Sequence, residues 1–202
     1  MMKTVAITGT TRGIGLSLKQ KMNEIFNVLD LNRPRFDLSI PSTIHNIDMS
    51  NIDVLILNAG MANKNLIPSN FRDQDISYWQ EIVSTQINGN FILMQNYLKA
   101  RNSGMIVILS SAIVEQSRFS GRAVYTAAKA ALSIMVDELS REIKKTKQDI
   151  RILEIRPGLT RNSDERPSDG EDRKSTTYDQ VADAIIFAIN HPTLTKITFN
   201  NL

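Results

Sequence analysis

The sequence predicts an α/β fold, a doubly wound and mostly parallel sheet with helices on both faces. Two observations carry this. Short apolar runs rich in β-branched residues alternate with longer helical stretches along the whole 202-residue chain. The first run then leads directly into a glycine-rich turn that opens a helix.

The runs are Thr4–Thr8, Val28–Leu31, Asp53–Leu57, Met105–Leu109, Ile150–Ile155 and Lys196–Phe199. Continuous apolar runs of this length suit parallel strands buried on both faces. Between them, helical patterns run from Ile14 to Ile25, Tyr78 to Ala100, Val124 to Lys147 and Tyr178 to Asn190. Alternation throughout implies right-handed crossovers. No internal repeat appears, and residues 1–202 read as a single Rossmann-type domain. From Arg161 to Thr177 the only apolar side chain is Pro167, and charges of both signs are mixed. That segment reads as a surface loop, and its place after the fifth run makes it a candidate lid over bound ligand.

Composition narrows the function. The chain has 24 basic and 21 acidic residues, a net charge of +3, which argues against nucleic-acid or membrane-surface partners. It has no cysteine, which excludes disulfides, thiolate metal sites and a cysteine nucleophile. Its two histidines, His45 and His191, sit in a polar stretch and before a turn proline, so no metal site is expected. No window approaches the ~20 apolar residues of a membrane span. No signal peptide is visible, so the expected compartment is the cytoplasm.

Two groups of residues carry chemistry. The turn Thr8-Gly9-Thr10-Thr11-Arg12-Gly13-Ile14-Gly15 has the glycines needed for tight turning and for close backbone approach to a pyrophosphate at a helix N-terminus. Tyr125 and Lys129 stand four apart, on one face of a helix, with Ser110-Ser111 upstream at a strand end. A cation beside a phenol favours the phenolate, so Lys129 is expected to lower the pKa of Tyr125 toward neutrality. Tyr125 could then exchange a proton with a substrate oxygen.

On these residues the chain resembles the short-chain dehydrogenase/reductase family. Gly9, Thr11, Arg12, Gly13, Ile14 and Gly15 fit its T-G-x-x-x-G-I-G turn. Asn58-Ala59-Gly60 fits its N-A-G motif, Tyr125-Thr126-Ala127-Ala128-Lys129 its Y-x-x-x-K, and Pro157-Gly158 its post-strand P-G. The resemblance implies Asn88, Ser111, Tyr125 and Lys129 as catalytic residues, with Ser111 bound to the substrate oxygen. By the same resemblance Lys129 holds the nicotinamide ribose, and Asn88 supports a water that links Lys129 to solvent. The family leaves more room between Val28 and Asp37-Leu38-Ser39, which here implies a sheet shortened around its third strand and a more open adenine pocket. Asp37 and Leu38 resemble its adenine-contacting pair.

The implied cofactor is NADP or NAD. Arg12 and Arg33, the latter after Asn32, another expected cofactor contact, favour NADP, whereas a two-residue shift of alignment would make Asp30 an NAD-selecting acid. The nicotinamide contact that commonly follows P-G falls on Asn162, with Thr160 two residues before. Met61, Ile113, Val114, Phe119 and Leu159 are candidates for the substrate wall, which fits a small or polar carbonyl or alcohol. Pairing through the two long helices as a homodimer or homotetramer is the family's habit. The competing readings are a catalytically degenerate dinucleotide-binding sensor or interaction subunit, and an epimerase or dehydratase on a related fold.

Overall fold

The computed structural model describes residues 2–60, 70–115, 121–162 and 175–199. Six strands form one parallel sheet: β1 (Thr4–Thr8), β2 (Asn27–Leu31), β3 (Val54–Leu57), β4 (Ser103–Leu109), β5 (Asp149–Arg156) and β8 (Lys196–Thr198). Their order is β2-β1-β3-β4-β5-β8. Two further strands, β6 (Thr160–Arg161) and β7 (Thr176–Thr177), pair in parallel with each other. This pairing joins the two ends of the expected loop, most of which (163–174) lies outside the described residues, as do Met61 and Phe119.

The period-2 alternation of strands divides the core into two layers. Val5, Ile7, Val54, Ile56, Val107, Leu153 and Ile155 face α1 (Gly13–Met22) and α6 (Tyr178–Ile189). Ala6, Leu55, Leu57, Ile106, Ile108 and Ile152 face the opposite layer, with Ile44 of α2 (Pro41–His45). That layer also holds Leu93 and Tyr97 of α4 (Asn90–Ala100) and Val136 of α5 (Ala123–Ile143). Helix α6 starts cleanly because Thr177 and Gln180 cap each other reciprocally, at 3.2 and 2.9 Å. Among the described residues no helix is long and apolar enough to cross a membrane.

Two features differ from the simple pattern. The expected shortening is present: among the described residues no strand stands between β2 and α2, and β2 is outermost in the sheet. Phe36 and Leu38 of the connecting loop are buried and fill the space beside β2. The expected long helix is a helical column of three parts, α3 (Ile76–Ile82), a π-helical turn (Val83–Gly89) and α4. The π turn has local causes. Thr85 Oγ1 donates to Glu81 O at 2.7 Å and Asn90 Nδ2 to Gln86 O at 2.8 Å, competing for carbonyls that an α-helix would use. Gly89 also packs on the loop so closely that a Cβ there would stand 2.3 Å from Leu38 O.

Candidate active site

The strand order reverses between β2-β1 and β3, and in doubly wound sheets the crevice opens at the carboxyl ends beside that reversal. A cleft of about 700 Å³ lies there. Its size is that of a cofactor site. Of the residues expected to hold a dinucleotide, Gly9, Thr11, Arg12, Gly13, Ile14, Asn32, Arg33, Asp37, Leu38, Asn58, Ala59, Gly60, Tyr125, Lys129, Pro157 and Gly158 all line it.

Gly15 does not line the cleft. A Cβ at Gly15 would lie 2.1 Å from Gly9 O and 2.4 Å from Asn58 Nδ2, so this glycine lets α1 dock on the turn. Gly9 and Gly13 adopt φ of 72° and 58°, the left-handed region that glycine occupies without steric cost. A Cβ at Gly9 would also meet Ala59 Cα at 3.0 Å. Arg12 is the N-cap residue of α1 but its side chain does not cap the helix, and the first turn of α1 carries no acid. Its leading N–H groups therefore suit an anion.

At the other end, Lys129 is buried and donates to Leu109 O at 2.9 Å. Its Nζ stands 5.8 Å from the centre of the Tyr125 ring, as the four-residue spacing requires. Burial lowers the ammonium pKa from 10.5 to about 8. Burial also raises the pKa of the half-buried Tyr125 phenol, while the Ser111 hydroxyl and the Arg122 charge pull it the other way. This reverses the sequence-based expectation that Lys129 would acidify Tyr125. In the ligand-free protein desolvation outweighs the neighbouring charge.

The paired serines separate by their partners. Ser110 Oγ donates its proton to the buried carboxylate of Glu154 at 2.6 Å, so that proton is committed. Ser111 Oγ accepts from Ile113 N at 3.3 Å, donates over a long 3.4 Å to Pro157 O and stands beside Tyr125. Its proton is therefore less firmly held than that of Ser110, although Ser110 is the one that borders the cleft.

Asn88 does not join this group. It is exposed on the outer side of the π turn, in a separate depression with Phe91, Ile92 and Met135. The side chain that reaches the cleft is Gln86. Gln86 is fully buried, and neither its Oε1 nor its Nε2 has a hydrogen-bond partner among the described residues. It converges with Lys129 on Gly60: a Cβ there would lie 3.3 Å from Lys129 Nζ and 3.8 Å from Gln86 Oε1. The signal was in the sequence. Ile82, Gln86, Asn90, Leu93 and Tyr97 form one buried stripe at helical spacing, and Asn88 falls off it. Thr85, Thr160, Asn162 and Tyr178 also border the cleft.

Asp30 points elsewhere. It pairs with Lys19 of α1 at 2.5 Å and accepts from Thr10 Oγ1 at 2.8 Å, and it does not border the cleft. Arg33 does border it, paired with Asp37 at 2.5 Å, and Asp37 in turn holds Ser39. Of the described wall candidates, Ile113 is buried, Val114 half-buried and Leu159 exposed.

The buried ammonium has a measurable signature. The folded chain gives up the Lys129 proton near pH 8 and the unfolded chain near 10.5, so stability rises with pH across that window. At pH 7 Lys129→Met is expected to raise the stability of the ligand-free protein, by on the order of 3 kcal/mol. The advantage should shrink as the pH climbs from about 8 to 10.5. Urea unfolding of both proteins at a series of pH values checks this.

The sequence model of the family described as short chain dehydrogenase matches residues 39–174. An uncharacterized oxidoreductase of Staphylococcus epidermidis is 26% identical over 220 aligned positions, spanning 94% of this chain and 92% of its own. The NADP-dependent 3-hydroxy acid dehydrogenase of Schizosaccharomyces pombe is 27% identical, over 93% of this chain and 86% of its own. A short chain dehydrogenase from Burkholderia cenocepacia, solved with NADP, superposes with a TM-score of 0.80 at 17% identity. The superposition covers 98% of this chain and 96% of that one, and establishes the common fold. On the match across two thirds of its length, the chain belongs to the short-chain dehydrogenase family and is an oxidoreductase.

Proposed function

We propose that this protein transfers hydride between a nicotinamide dinucleotide, NADP in preference to NAD, and a small carbonyl or alcohol, with Tyr125 as general acid and base. One observation carries the reading: Tyr125, Lys129 and the Gln86 amide, which has no hydrogen-bond partner among the described residues, line one end of a cleft whose other end is the glycine turn, and Ser111 stands beside Tyr125. The residues fit such a cofactor, because the glycine turn lines the cleft and offers the N-terminus of α1, with no acid in its first turn, to a pyrophosphate. When bound, the nicotinamide supplies or accepts the hydride.

The chain's own residues handle the proton. The phenol of Tyr125, raised by burial, stays protonated at neutral pH and can give its proton to a carbonyl oxygen. The Ser111 hydroxyl can exchange its long bond to Pro157 O for one to that same oxygen. Lys129, charged below about pH 8, favours the phenolate left behind. Gln86 offers an acceptor and a donor next to the ammonium, the role that the resemblance had given to Asn88.

The preference for NADP rests on three residues. Arg12 and Arg33 border the cleft, and Asp30 is turned away to Lys19 and Thr10. A guanidinium suits a 2′-phosphate, whereas an acid pointing into the cleft would repel it. The fission-yeast relative is named NADP-dependent, and the Burkholderia neighbour was solved with NADP. The former's name also directs attention to small hydroxy acids as first substrates to try.

Replacing Tyr125 by Phe should cut turnover by ~10²–10⁴-fold and leave NADP affinity near that of the parent. Retained turnover would remove the phenol from the chemistry. Gln86→Leu should lower turnover while keeping or raising the melting temperature, because it deletes two unpartnered buried polar atoms. Asn88→Ala should leave turnover unchanged, and a loss there would return the role to Asn88. Finally, Arg33→Ala should weaken NADP binding about 10-fold or more without weakening NAD. Titration by fluorescence reads both constants, and a parent protein that binds NAD more tightly than NADP would show that the cofactor reaches Asp30.

A further inference from the structure

A buried ionic cluster lies directly behind the site. Glu154 of β5 is fully buried, and its Oε1 accepts from Ser110 Oγ at 2.6 Å. Arg156 Nε stands 2.9 Å from the same oxygen, and Lys196 Nζ of β8 stands 3.1 Å from Oε2. Arg156 also donates to Ser133 Oγ of α5 at 2.6 Å and pairs with Glu115, which closes the short 3₁₀ turn after Ser111. Asp137 of α5 approaches Lys196 at 3.8 Å. Burial pushes the Glu154 carboxyl up, yet Arg156, Ser110, Lys196 and Ser133 together hold it below its usual range.

The fold does not require this cluster. Glu154 and Arg156 share a strand face with Ile152, where apolar side chains pack under α5. Replacing a buried ion pair by apolar residues of similar size is often neutral or stabilising. What the cluster does grip is the proton-handling end of the cleft. It holds the β4 terminus through Ser110, α5 one turn beyond Lys129 through Ser133, and the turn after Ser111 through Glu115. Arg156 itself precedes Pro157, whose carbonyl takes Ala112 N at 2.9 Å and Ser111 Oγ at 3.4 Å.

We infer that the buried Glu154–Arg156 pair is a positioning device for catalysis, holding the Ser110-Ser111 strand end so that the Ser111 hydroxyl faces Tyr125. The inference rests on the proposed oxidoreductase site. Glu154 touches neither substrate nor cofactor and acts through Ser110. Its charge is the working element, because Glu154→Gln keeps the shape and still offers Ser110 an acceptor while Arg156 loses its buried counter-charge and keeps only that of the exposed Glu115.

The test compares Glu154→Gln with the double variant Glu154→Leu/Arg156→Leu. Both should lower kcat by about 10- to 100-fold, the cost of a small misplacement, with the NADP dissociation constant unchanged. The alkaline pH midpoint of alcohol oxidation should move upward, because a displaced Ser111 no longer helps to hold the phenolate. The double variant should match or exceed the parent in melting temperature, which separates this loss from unfolding. Parent kcat and pH midpoint in both variants would overturn the inference, as would a kcat loss in the double variant accompanied by a matching fall in melting temperature. A crystal structure of Glu154→Gln gives a readout without substrate: Ser111 Oγ should leave its place beside Pro157 O, and an unmoved Ser111 overturns the inference by itself. Tyr125→Phe run in parallel keeps the two levels apart, since undiminished turnover there would refute the oxidoreductase mechanism and not the positioning role.

Discussion

Everything in the cleft is referenced to the lock between the carboxyl ends of β1 and β3. The Thr8 hydroxyl donates to Ile56 O at 3.4 Å and accepts from the amides of Asn58 and Ala59 at 3.0 and 2.9 Å. The Asn58 amide returns to Thr8 O and Gly9 O at 3.0 and 2.8 Å. These bonds satisfy backbone groups that a turn at this depth would otherwise leave orphaned. They also bring two backbones within contact distance, which explains why Gly9 and Gly15 tolerate no side chain. The glycine turn, the start of α1 and Gly60 next to Lys129 are then fixed in one frame.

Within that frame the active end is built at a cost. Lys129 carries a charge in a buried position with a carbonyl as its partner, and Gln86 leaves two polar atoms unsatisfied among the described residues. Burial of polar groups without partners is destabilising wherever it occurs, and folds keep it mainly where a ligand will complete the set. The end of the cleft beside β2 has the opposite character. Arg33, Asp37 and Ser39 are already bonded to one another, so that wall is largely formed before anything binds.

Much of this was legible in the chain. The six strands of the main sheet follow from the short runs, most plainly β1, β3, β4 and β5, because a parallel strand buried on both faces leaves a continuous apolar signal. The glycine turn and the Tyr125–Lys129 pair were readable because steric need and helical spacing are written locally. That Asn88 lies outside the cleft has a reason of the same kind. Motif matching fixes a residue type, but the face of a helix is set by the burial stripe of its neighbours, and here that stripe selects Gln86. The π turn was not visible in the apolar pattern, because it combines side-chain bonds of Thr85 and Asn90 back to the helix with the packing of Gly89 on Leu38, far away in sequence. Nor was the reversed pKa of Tyr125, which depends on how much of the ring the fold buries. Glu154 and Arg156 looked like ordinary charges in a strand, and only the packing of α5 above them shows their partners.

The shortened loop after β2 has a consequence for solubility. With β2 outermost, its free side offers a row of unpaired N–H and C=O groups, an invitation for another copy to add a strand and extend the sheet. Polar and charged side chains on a border strand blunt that hazard, and here they are Asn27 and Asp30, the latter clipped to Lys19. Asp30, which does not border the cleft, stands on the strand where a further strand would add, and its replacement would remove a charge that discourages such growth.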